Sequence, residues 1–462
     1  MITDLKPYAE YKESGLPWLG QVPGHWEVIP NRALFNEVKD RNHPGEEMLS
    51  VTITKGIVKQ RALLEGSSKK DSSNLDRSAY KLVQPRDIAY NKMRAWQGAI
   101  GASTLRGIIS PAYVVMRLRN NDDLPSYFHH LYRTPQFAKE AERWSYGITS
   151  DMWSLRPEHF KKIYSPDPPP AEQAAIVRFL DWANGRLERA IRAKRKVIAL
   201  LNEQKQAIIH RAVTRGLDPN VPLKDSGVPW LGEIPAHWEQ RALWSISNLR
   251  IERNPGSLEL LSVFLDRGVI RYAEGGGQVH APSLDLSNYQ VVRRGDFVLN
   301  NQQAWRGSVG VSAHEGIISP AYIVLELADR LHSAFANYLM RSRAMVDQFV
   351  AASKGVGDIQ RQVFWPFLRM VQVPLPSMDE QRSIVGHLEQ ETAGLMRTIS
   401  RLEREITLLR EYRTRLVADV VTGKLDVRAV AAKLPNEASL DATTDDANLD
   451  EALEMADEEV DA

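Results

Sequence analysis

The sequence predicts a mixed α/β protein of the α+β type, in which two globular domains are separated by two long helices that form a coiled coil. Two observations lead to this fold class. Two long stretches carry the same helical stripe of apolar residues, and most of the chain is an internal duplication with pseudo-twofold character. The 462 residues, of which 43% are hydrophobic, are enough for about three domains with two separate cores.

Each long helix is predicted from apolar residues spaced alternately three and four positions apart. The first covers residues 171–215, directly after three consecutive prolines, and the second covers residues 379–421. The two stripes share one register, 208 positions apart: Leu180, Leu187, Ile191, Ile198, Leu201, Ile208 and Ala212 in the first, and Leu388, Leu395, Ile399, Leu402, Ile406, Leu409, Leu416 and Val420 in the second. One seam on each helix is therefore expected to pair with the other helix.

The duplication extends beyond the helices and gives the domain plan. The block at 11–27 reads YKESGLPWLGQVPGHWE and returns at 223–239 as LKDSGVPWLGEIPAHWE, while GIISPAYVV at 107 returns as GIISPAYIV at 316. The predicted domains are a first globular domain with its N-terminal segment at 1–166, a helical spacer at 167–222, a second globular domain at 223–373, a second helical spacer at 374–434, and an acidic tail, predicted to be disordered, at 435–462.

Both globular domains are predicted to mix short strands with amphipathic helices in an irregular order. Strands at 49–54, 81–90 and 112–118 have counterparts at 261–265, 290–299 and 321–327, with turns at Gly107, Pro111, Gly316 and Pro320, and single helices follow at 126–143 and 333–352. This order favours a mixed globule over a doubly wound sheet. Four tryptophans are predicted to anchor the cores: Trp18, Trp26, Trp230 and Trp238.

Composition and charge limit the possible functions. The chain has no cysteine, which excludes disulfides, thiolate metal sites and a cysteine nucleophile. It has no signal peptide and no apolar run long enough to span a bilayer, so a cytoplasmic protein without membrane contact is expected. The net charge is +1, but the tail at 435–462 holds eleven acidic residues and no Lys or Arg, so the rest of the chain has a net charge of +12. A basic body predicts a polyanionic partner.

No catalytic or metal site is predicted. The run at 167–170, Asp-Pro-Pro-Pro, lacks the aromatic fourth residue of amino-methyltransferases, and the glycines at 275–277 lack the Lys-Ser/Thr of a phosphate loop. His25 and His237 each stand beside a tryptophan, with no second ligand at metal spacing. Both histidines are therefore predicted to be structural.

The candidate DNA-binding residues are polar and basic side chains in loops that differ between the two halves. Arg and Lys neutralise phosphates, whereas Arg, Asn and Gln can also read base edges through two hydrogen bonds. The candidates are Lys55, Lys59, Arg61, Lys92, Arg94 and Gln97 in the first half, and Arg267, Asn301, Gln302, Gln303, Arg306, Lys354, Gln360 and Arg361 in the second. A repeated framework with different loops is how two copies of one scaffold would read two different sequences.

Three sets of repeated motifs resemble the specificity subunit of type I restriction-modification enzymes. They are the Lys-Glu/Asp-Ser-Gly-x-x-Trp-Leu-Gly-x-x-Pro-x-His-Trp blocks, the Ile-Ile-Ser-Pro-Ala-Tyr blocks, and the pairs Glu172-Gln173 and Glu380-Gln381 at the entries to the long helices. The resemblance covers residues 11 to about 433, so the acidic extension is the one departure.

The resemblance implies that the globular domains are target recognition domains for a bipartite, asymmetric site in double-stranded DNA, and that the long helices are conserved regions that pair antiparallel. It also implies that the chain is not catalytic and binds no cofactor. Two methyltransferase subunits would supply adenine methylation with S-adenosylmethionine, and restriction or motor subunits would supply ATP- and Mg-dependent cleavage. The alternative is a free-standing, pseudo-dimeric DNA-binding regulator that acts without catalytic partners. A methyltransferase or nuclease would need a cofactor loop and an acidic cluster.

Overall fold

The computed structural model describes residues 5–64, 76–147, 153–254, 256, 258–265, 267–275, 282–283, 285–355 and 361–435. These residues form two compact units. The first unit contains the described residues up to Arg192 together with those from Glu405 onwards, and the second contains those from Ala193 to Arg404. Each long helix therefore contributes one part to each unit.

The first unit is built around a four-stranded antiparallel sheet in the order β4-β11-β8-β9. Its strands are β1 Tyr11–Glu13, β2 Gln21–Pro23, β3 Glu27–Pro30, β4 Phe35–Val38, β5 Leu49–Thr52, β6 Gly56–Lys59, β7 Lys81–Val83, β8 Asp87–Asn91, β9 Ile100–Ala102, β10 Gly107–Ile109, β11 Tyr113–Leu118 and β12 Tyr164–Asp167. Its helices are α1 Asn31–Leu34, α2 Gln60–Leu64, α3 Pro125–Tyr132, α4 Pro135–Arg143, α5 Pro157–Phe160 and the start of α6 Pro170–Arg215.

The second unit repeats this plan, with a four-stranded sheet in the order β16-β23-β20-β21. Its strands are β13 Leu223–Asp225, β14 Glu233–Pro235, β15 Glu239–Ala242, β16 Ser247–Leu249, β17 Leu261–Phe264, β18 Gly268–Arg271, β19 Gln290–Val292, β20 Phe297–Asn300, β21 Val309–Val311, β22 Gly316–Ile318, β23 Tyr322–Leu327, β24 Ser353–Lys354, β25 Gln362–Val363 and β26 Gln372–Leu375. Its helices are α7 Ser333–Met340, α8 Arg343–Ala351, α9 Trp365–Leu368 and the start of α10 Met378–Val421; α11 Arg428–Ala431 belongs to the first unit.

The mixed α/β class and the duplication are thus confirmed, whereas several local predictions are wrong. The strand predicted at 81–90 is two strands, β7 and β8, because the backbone turns at Arg86, whose φ is 79°. The helix predicted at 126–143 is α3 and α4, since Pro135 cannot continue a helix and the Thr134 side chain caps α4 by accepting from the backbone N–H of Phe137 at 3.2 Å. The second unit shows the same divisions at 290–299 and 333–352.

Gly107 and Gly316 were predicted as turns, but they lie in strands β10 and β22. A Cβ atom on either glycine would overlap the carbonyl oxygen of a neighbouring segment, that of Glu47 in the first unit and that of Glu259 in the second. The glycine is therefore required by close backbone approach inside the sheet rather than by a turn.

Two of the four tryptophans predicted as core anchors are fully buried, Trp26 and Trp238. Trp18 is half-buried and packs edge-on against Phe137, with ring centroids 5.9 Å apart. The prediction is wrong for Trp230, which is 38% exposed. The second unit has Met345 at the position of Phe137, so this aromatic contact is not repeated.

The long helices α6 and α10 begin one residue before the predicted positions and end at them, and α6 continues through Gly185. Their apolar stripe faces inward, as the burial of Leu187, Ile191 and Leu416 shows. In the first unit the start of α6 packs in one core with the end of α10, and Glu188 pairs with Arg413.

In the second unit the end of α6, around Ile209 and Val213, packs in one core with the start of α10, around Ile384 and Leu388. The two helices are therefore antiparallel within each unit.

The entry to each long helix is held by one glutamate. In the first unit Glu172 accepts hydrogen bonds from the Tyr8 hydroxyl and from Trp26 Nε1 at 3.0 Å, and lies 2.8 Å from His25 Nε2. In the second unit Glu380 accepts from Trp238 Nε1 at 2.8 Å and lies 3.1 Å from His237 Nε2. Both histidines thus make structural contacts that tie the repeated N-terminal block to a helix.

Two carboxylates stand beside the start of α6. The side-chain Nε2 of Gln173 donates to Oδ1 of Asp123 and to Oδ1 of Asp167, at 3.2 Å in both cases. Burial, and then the charges of Asp123 and Glu27, raises the pKa of Asp167 to about 7. Because the folded chain holds this proton more tightly than the unfolded chain does, stability is expected to fall as the pH rises from about 4 through about 7.

We therefore expect Asp167→Asn to raise the thermal midpoint clearly more at pH 8 than at pH 5, because the stability difference grows between about pH 4 and about pH 7. At pH 8 the wild type carries a charge in a partly buried position, whereas at pH 5 both side chains are neutral and of similar shape. Calorimetry at the two pH values checks this. An equal shift at both would show that the Asp167 carboxyl does not titrate in this range.

Candidate nucleic-acid interface

Half of the candidate residues, three in the first unit and four in the second, lie on one repeated turn. The "tryptophan turn" is defined as residues 91–98 in the first unit and 300–307 in the second, and it joins a central strand of the sheet, β8 or β20, to the edge strand next to it, β9 or β21. It contains a 3₁₀ turn, Ala95–Gln97 or Ala304–Arg306, and ends on a glycine with positive φ, 95° at Gly98 and 106° at Gly307. A side chain with Cβ would be strained at these glycines, so the same sharp turn is kept in both units.

The turn is stabilised by its own polar groups. In the first unit Asn91 Oδ1 accepts from the backbone N–H of Met93 at 3.0 Å, and Trp96 Nε1 donates to the Met93 carbonyl at 2.9 Å. In the second, Asn300 Oδ1 accepts from the N–H of Gln302 at 3.0 Å, and Trp305 Nε1 donates to the Gln302 carbonyl at 2.8 Å. The local backbone is therefore the same, while the outward side chains differ.

In the second unit two arginine side chains lie against the tryptophan ring of the turn. The guanidinium of Arg306 lies 4.7 Å from the Trp305 ring centroid, and that of Arg361 lies 5.6 Å from it. The Asn301 carbonyl accepts from the N–H of Val363 at 2.7 Å, which holds strand β25 against the turn. Arg361, just before β25, is thereby brought to the ring of Trp305.

Two buried polar atoms at this place have no hydrogen-bond partner among the described residues. They are Oδ1 of Asn301 and Nε of Arg361. An unpaired buried acceptor or charged donor costs about 1–3 kcal/mol or more, but eight other side-chain atoms of the described residues are also unpaired, so this state alone does not indicate a ligand. Asn can bond an adenine edge and Arg a guanine edge, so the pair has the chemistry for reading bases.

The other candidates of the second unit lie around this centre or near it. Gln302 is exposed and Gln303 half-buried on the same turn. Lys354, on β24, places its Nζ 3.9 Å from the Phe367 ring centroid. Arg267, at the β17–β18 hairpin, stacks on Phe264 at 4.5 Å and donates to the Glu274 carbonyl at 3.2 Å. Gln360 lies outside the described residues.

The first unit presents a different set on its tryptophan turn. Arg94 and Gln97 are exposed and Lys92 is half-buried, and the Lys92 carbonyl accepts from the N–H of Leu155 at 2.9 Å. The Trp96 ring meets Trp153 edge-on, with centroids 5.5 Å apart. The structure thus brings Lys92, Arg94 and Gln97 together beside two tryptophans.

Three predicted residues of the first unit lie on the β5–β6 hairpin or just after it. Lys59 and Arg61 both pair with Glu47, at 3.1 and 3.0 Å, which offsets part of their charge. Lys55 is exposed in the hairpin turn, where its N–H donates to Thr52 Oγ1 at 2.9 Å. These residues belong to a neighbouring element rather than to the tryptophan turn.

An arginine that sequence reasoning missed holds this hairpin in place. Arg133 donates to the carbonyls of Ile53 and Ile100, at 2.7 and 3.0 Å, and also to that of Thr54. Burial lowers the pKa of Arg133 to about 10. Arg341, 208 positions later, donates to the Leu265 carbonyl at 3.1 Å in the second unit. Its recurrence at the helix offset, like that of Trp96 and Trp305 within the repeated Ala-Trp, is the signal that could have found these residues.

Four of the described histidines, His25, His43, His130 and His237, each lie 2.8 to 3.6 Å from one acidic side chain. No group of three or more His, Asp or Glu side chains in this part of the chain is placed to hold a metal ion. None of the described helices is long and apolar enough to cross a membrane.

Comparison with known proteins gives one related sequence and a shared fold. No family profile matches the chain. The type I restriction enzyme MjaVIII specificity subunit of Methanocaldococcus jannaschii is 24% identical over 378 residues, which cover 76% of this chain and 83% of the relative. A solved structure described by complex assembly and conformational transition of the type I R-M system has a TM-score of 0.59 at 15% identity, over 87% of this chain and 98% of that chain.

The HsdS subunit from Thermoanaerobacter tengcongensis is also similar, with a TM-score of 0.41 at 16% identity over 87% of this chain and 98% of that one. The related sequence and the shared fold agree with the repeated motifs of the sequence. The resemblance is confirmed: the chain is similar in sequence to a type I restriction enzyme specificity subunit and has the fold of a solved structure from a type I R-M system.

Proposed function

We propose that this chain is the DNA-binding specificity subunit of a type I restriction-modification complex. It recognises a bipartite, asymmetric site and directs adenine methylation and cleavage that partner subunits carry out. One observation supports this proposal above the others. Two units with the same sheet order carry the same tryptophan turn, and the outward side chains of that turn differ.

Each unit reads one half of the site. The second unit offers Asn301 and Arg361, whose amide and guanidinium groups can bond adenine and guanine edges, while the first offers Arg94 and Gln97. Because these sets differ, the two halves of the site differ in sequence. The remaining basic residues contact phosphates, in keeping with the charge of +12 outside the tail.

The chain catalyses no reaction itself, and it determines where its partner subunits act on DNA. Its partners are double-stranded DNA, two DNA methyltransferase subunits and restriction or motor subunits, and it works in the cytoplasm. S-adenosylmethionine, ATP and Mg are bound by those partners. The residues of this chain bind DNA and fix which adenines the methyltransferase subunits reach.

Reconstitution tests this proposal directly. The purified chain is expected to transfer no methyl groups to DNA, and the methyltransferase subunits of the same host are expected to methylate a defined site only when the chain is added. Methyl transfer by the highly purified chain alone would refute a non-catalytic role. Sequence-specific DNA binding without any co-purifying methyltransferase would favour the free-standing regulator instead.

Replacing Arg361 is expected to weaken reading of one half-site only. Arg361→Ala should cost about 1–3 kcal/mol of binding free energy and relax specificity at one base pair, because a bidentate donor is lost. Arg361→Lys keeps the charge without the planar fork and should lose the specificity while keeping most of the affinity. Binding measured against a library of both half-sites gives the result, and the half read by the first unit serves as the internal control. Equal relaxation in both halves would contradict the assignment.

A further inference from the structure

The second unit exposes a face of large apolar side chains. This "apolar face" consists of Trp244, Phe364, Phe367 and Met370, which are 50%, 44%, 40% and 57% exposed. Three of them lie on or beside helix α9, and the N–H of Trp244 donates to the carbonyl of Arg369 at 3.1 Å. Single exposed apolar residues are ordinary, but a contiguous group marks a place where another surface binds.

In the first unit the positions equivalent to the apolar face hold different residues. In the first unit the N–H of Arg32 donates to the Lys161 carbonyl at 3.0 Å, which is the counterpart of the bond from Trp244 to Arg369. The N–H of Phe160 likewise bonds the Arg156 carbonyl as that of Leu368 bonds Phe364. By these equivalences the first unit carries Arg32, Arg156, His159 and Lys162 where the second carries the apolar face.

This difference between the two units indicates that the partner that binds the apolar face is present in one copy. Two copies of one partner bound to the two units would meet equivalent surfaces, and equivalent surfaces of that kind should be alike in chemistry. The apolar face has a cationic counterpart instead. Its occupant therefore recognises the second unit and not the first.

Two cationic side chains lie against aromatic rings of the apolar face. The Arg369 guanidinium lies 5.9 Å from the Trp244 ring centroid, and the Lys354 ammonium lies 3.9 Å from that of Phe367. A fitting occupant combines apolar side chains with carboxylates, since the first cover the rings and the second pair with the cations.

The acidic segment at 436–462 has this composition, and the chain contains one copy of it. Residues 436–462 hold eleven acidic residues and no Lys or Arg, together with apolar side chains at Leu440, Leu449, Leu453, Met455 and Val460. Fully extended, 27 residues span up to roughly 90 Å. The segment follows Pro435, the last described residue, and Arg178 holds the adjoining Leu434 carbonyl.

We propose that the acidic segment 436–462 docks on the apolar face of the second unit of its own chain, with its leucines on the rings and its carboxylates on Arg369 and Lys354. Lys354 is also among the proposed DNA contacts, so this docking competes with DNA for the second unit. The competition, unlike the docking, rests on the proposed function.

The absence of native cysteine allows a direct test in the full-length chain. A Met370→Cys/Leu453→Cys variant is expected to form an intramolecular disulfide under mild oxidation about tenfold faster than a Lys162→Cys/Leu453→Cys variant, because docking raises the local concentration of the tail cysteine at the apolar face. Lys162 is the exposed residue of the first unit that matches Met370, so it controls for random collisions of the tail. Equal rates in the two variants would overturn the proposal, as would a disulfide that forms only between two copies of the chain.

Further arms separate folding and DNA binding from docking. Adding Phe364→Ser and Phe367→Ser should reduce the fast disulfide to the control rate, and the thermal midpoint of each variant shows whether the chain is still folded. The disulfide-linked Met370→Cys/Leu453→Cys chain should bind DNA more weakly than the same chain after reduction. If the disulfide forms quickly and DNA affinity does not change, the docking stands and the competition is refuted.

Discussion

Replacing Glu172 by alanine is expected to lower the free energy of unfolding by about 3–5 kcal/mol, which is large for one side chain. The Glu172 side chain is 5% exposed and is shared by Tyr8, His25 and Trp26. Its removal leaves the hydroxyl and indole donors buried without an acceptor, and each such group costs about 1–3 kcal/mol. It also detaches the repeated N-terminal block from the start of α6.

The second unit provides the matched control for this substitution. Glu380 is 26% exposed and contacts two donors, His237 and Trp238, so Glu380→Ala should cost clearly less. Calorimetric unfolding of both variants measures the difference. A loss at Glu172 no larger than that at Glu380 would show that burial of the carboxylate does not determine the stability of the helix entry.

Exchanging residues 28–165 for the same region of a relative is expected to change one half of the recognised site completely and to leave the other half unchanged. Both ends of this region fall in one two-stranded pair, β3 with β12, where Ile29 faces Ser165. The exchanged part therefore begins and ends on two strands that pair with each other. It contains the whole four-stranded sheet and the tryptophan turn of the first unit. The second unit keeps its own side chains.

The equivalent exchange of residues 240–373 supplies the matched control. Its ends meet in the pair of β15 with β26, where Arg241 faces Val373. We expect this exchange to alter only the other half-site. Methylation patterns of DNA from cells that carry each exchanged chain give both results. A change in both half-sites from one exchange would contradict independent reading by the two units.

Sequence reasoning succeeded where the physics is periodic and repeated. The stripe through Leu187 and Leu395 requires a buried seam every three or four residues, so both long helices could be placed within one residue at each end. The duplication was equally visible, because blocks such as those around Trp26 and Trp238 recur in the same order. These parts of the fold depend on local patterns that a single sequence contains.

The candidate interface depended on contacts that no local pattern contains. Arg361 stands beside Trp305 only because β25 bonds the turn at Asn301, and Arg133 holds a hairpin about 80 residues away in the chain. Lys59 and Arg61 had the right charge for phosphates, but both pair with Glu47. Residue type therefore indicated the chemistry, while the tertiary fold decided which side chains come together.

The methylation pattern of host DNA, measured with the gene present, deleted and restored, tests the central claim most directly. If each of the two units reads one half-site, deletion should abolish methylation of adenines in one bipartite motif whose halves differ in sequence, and restoration should return it. Loss of no motif, or loss of a single uninterrupted palindrome, would contradict the claim that this chain provides the DNA specificity of a type I complex.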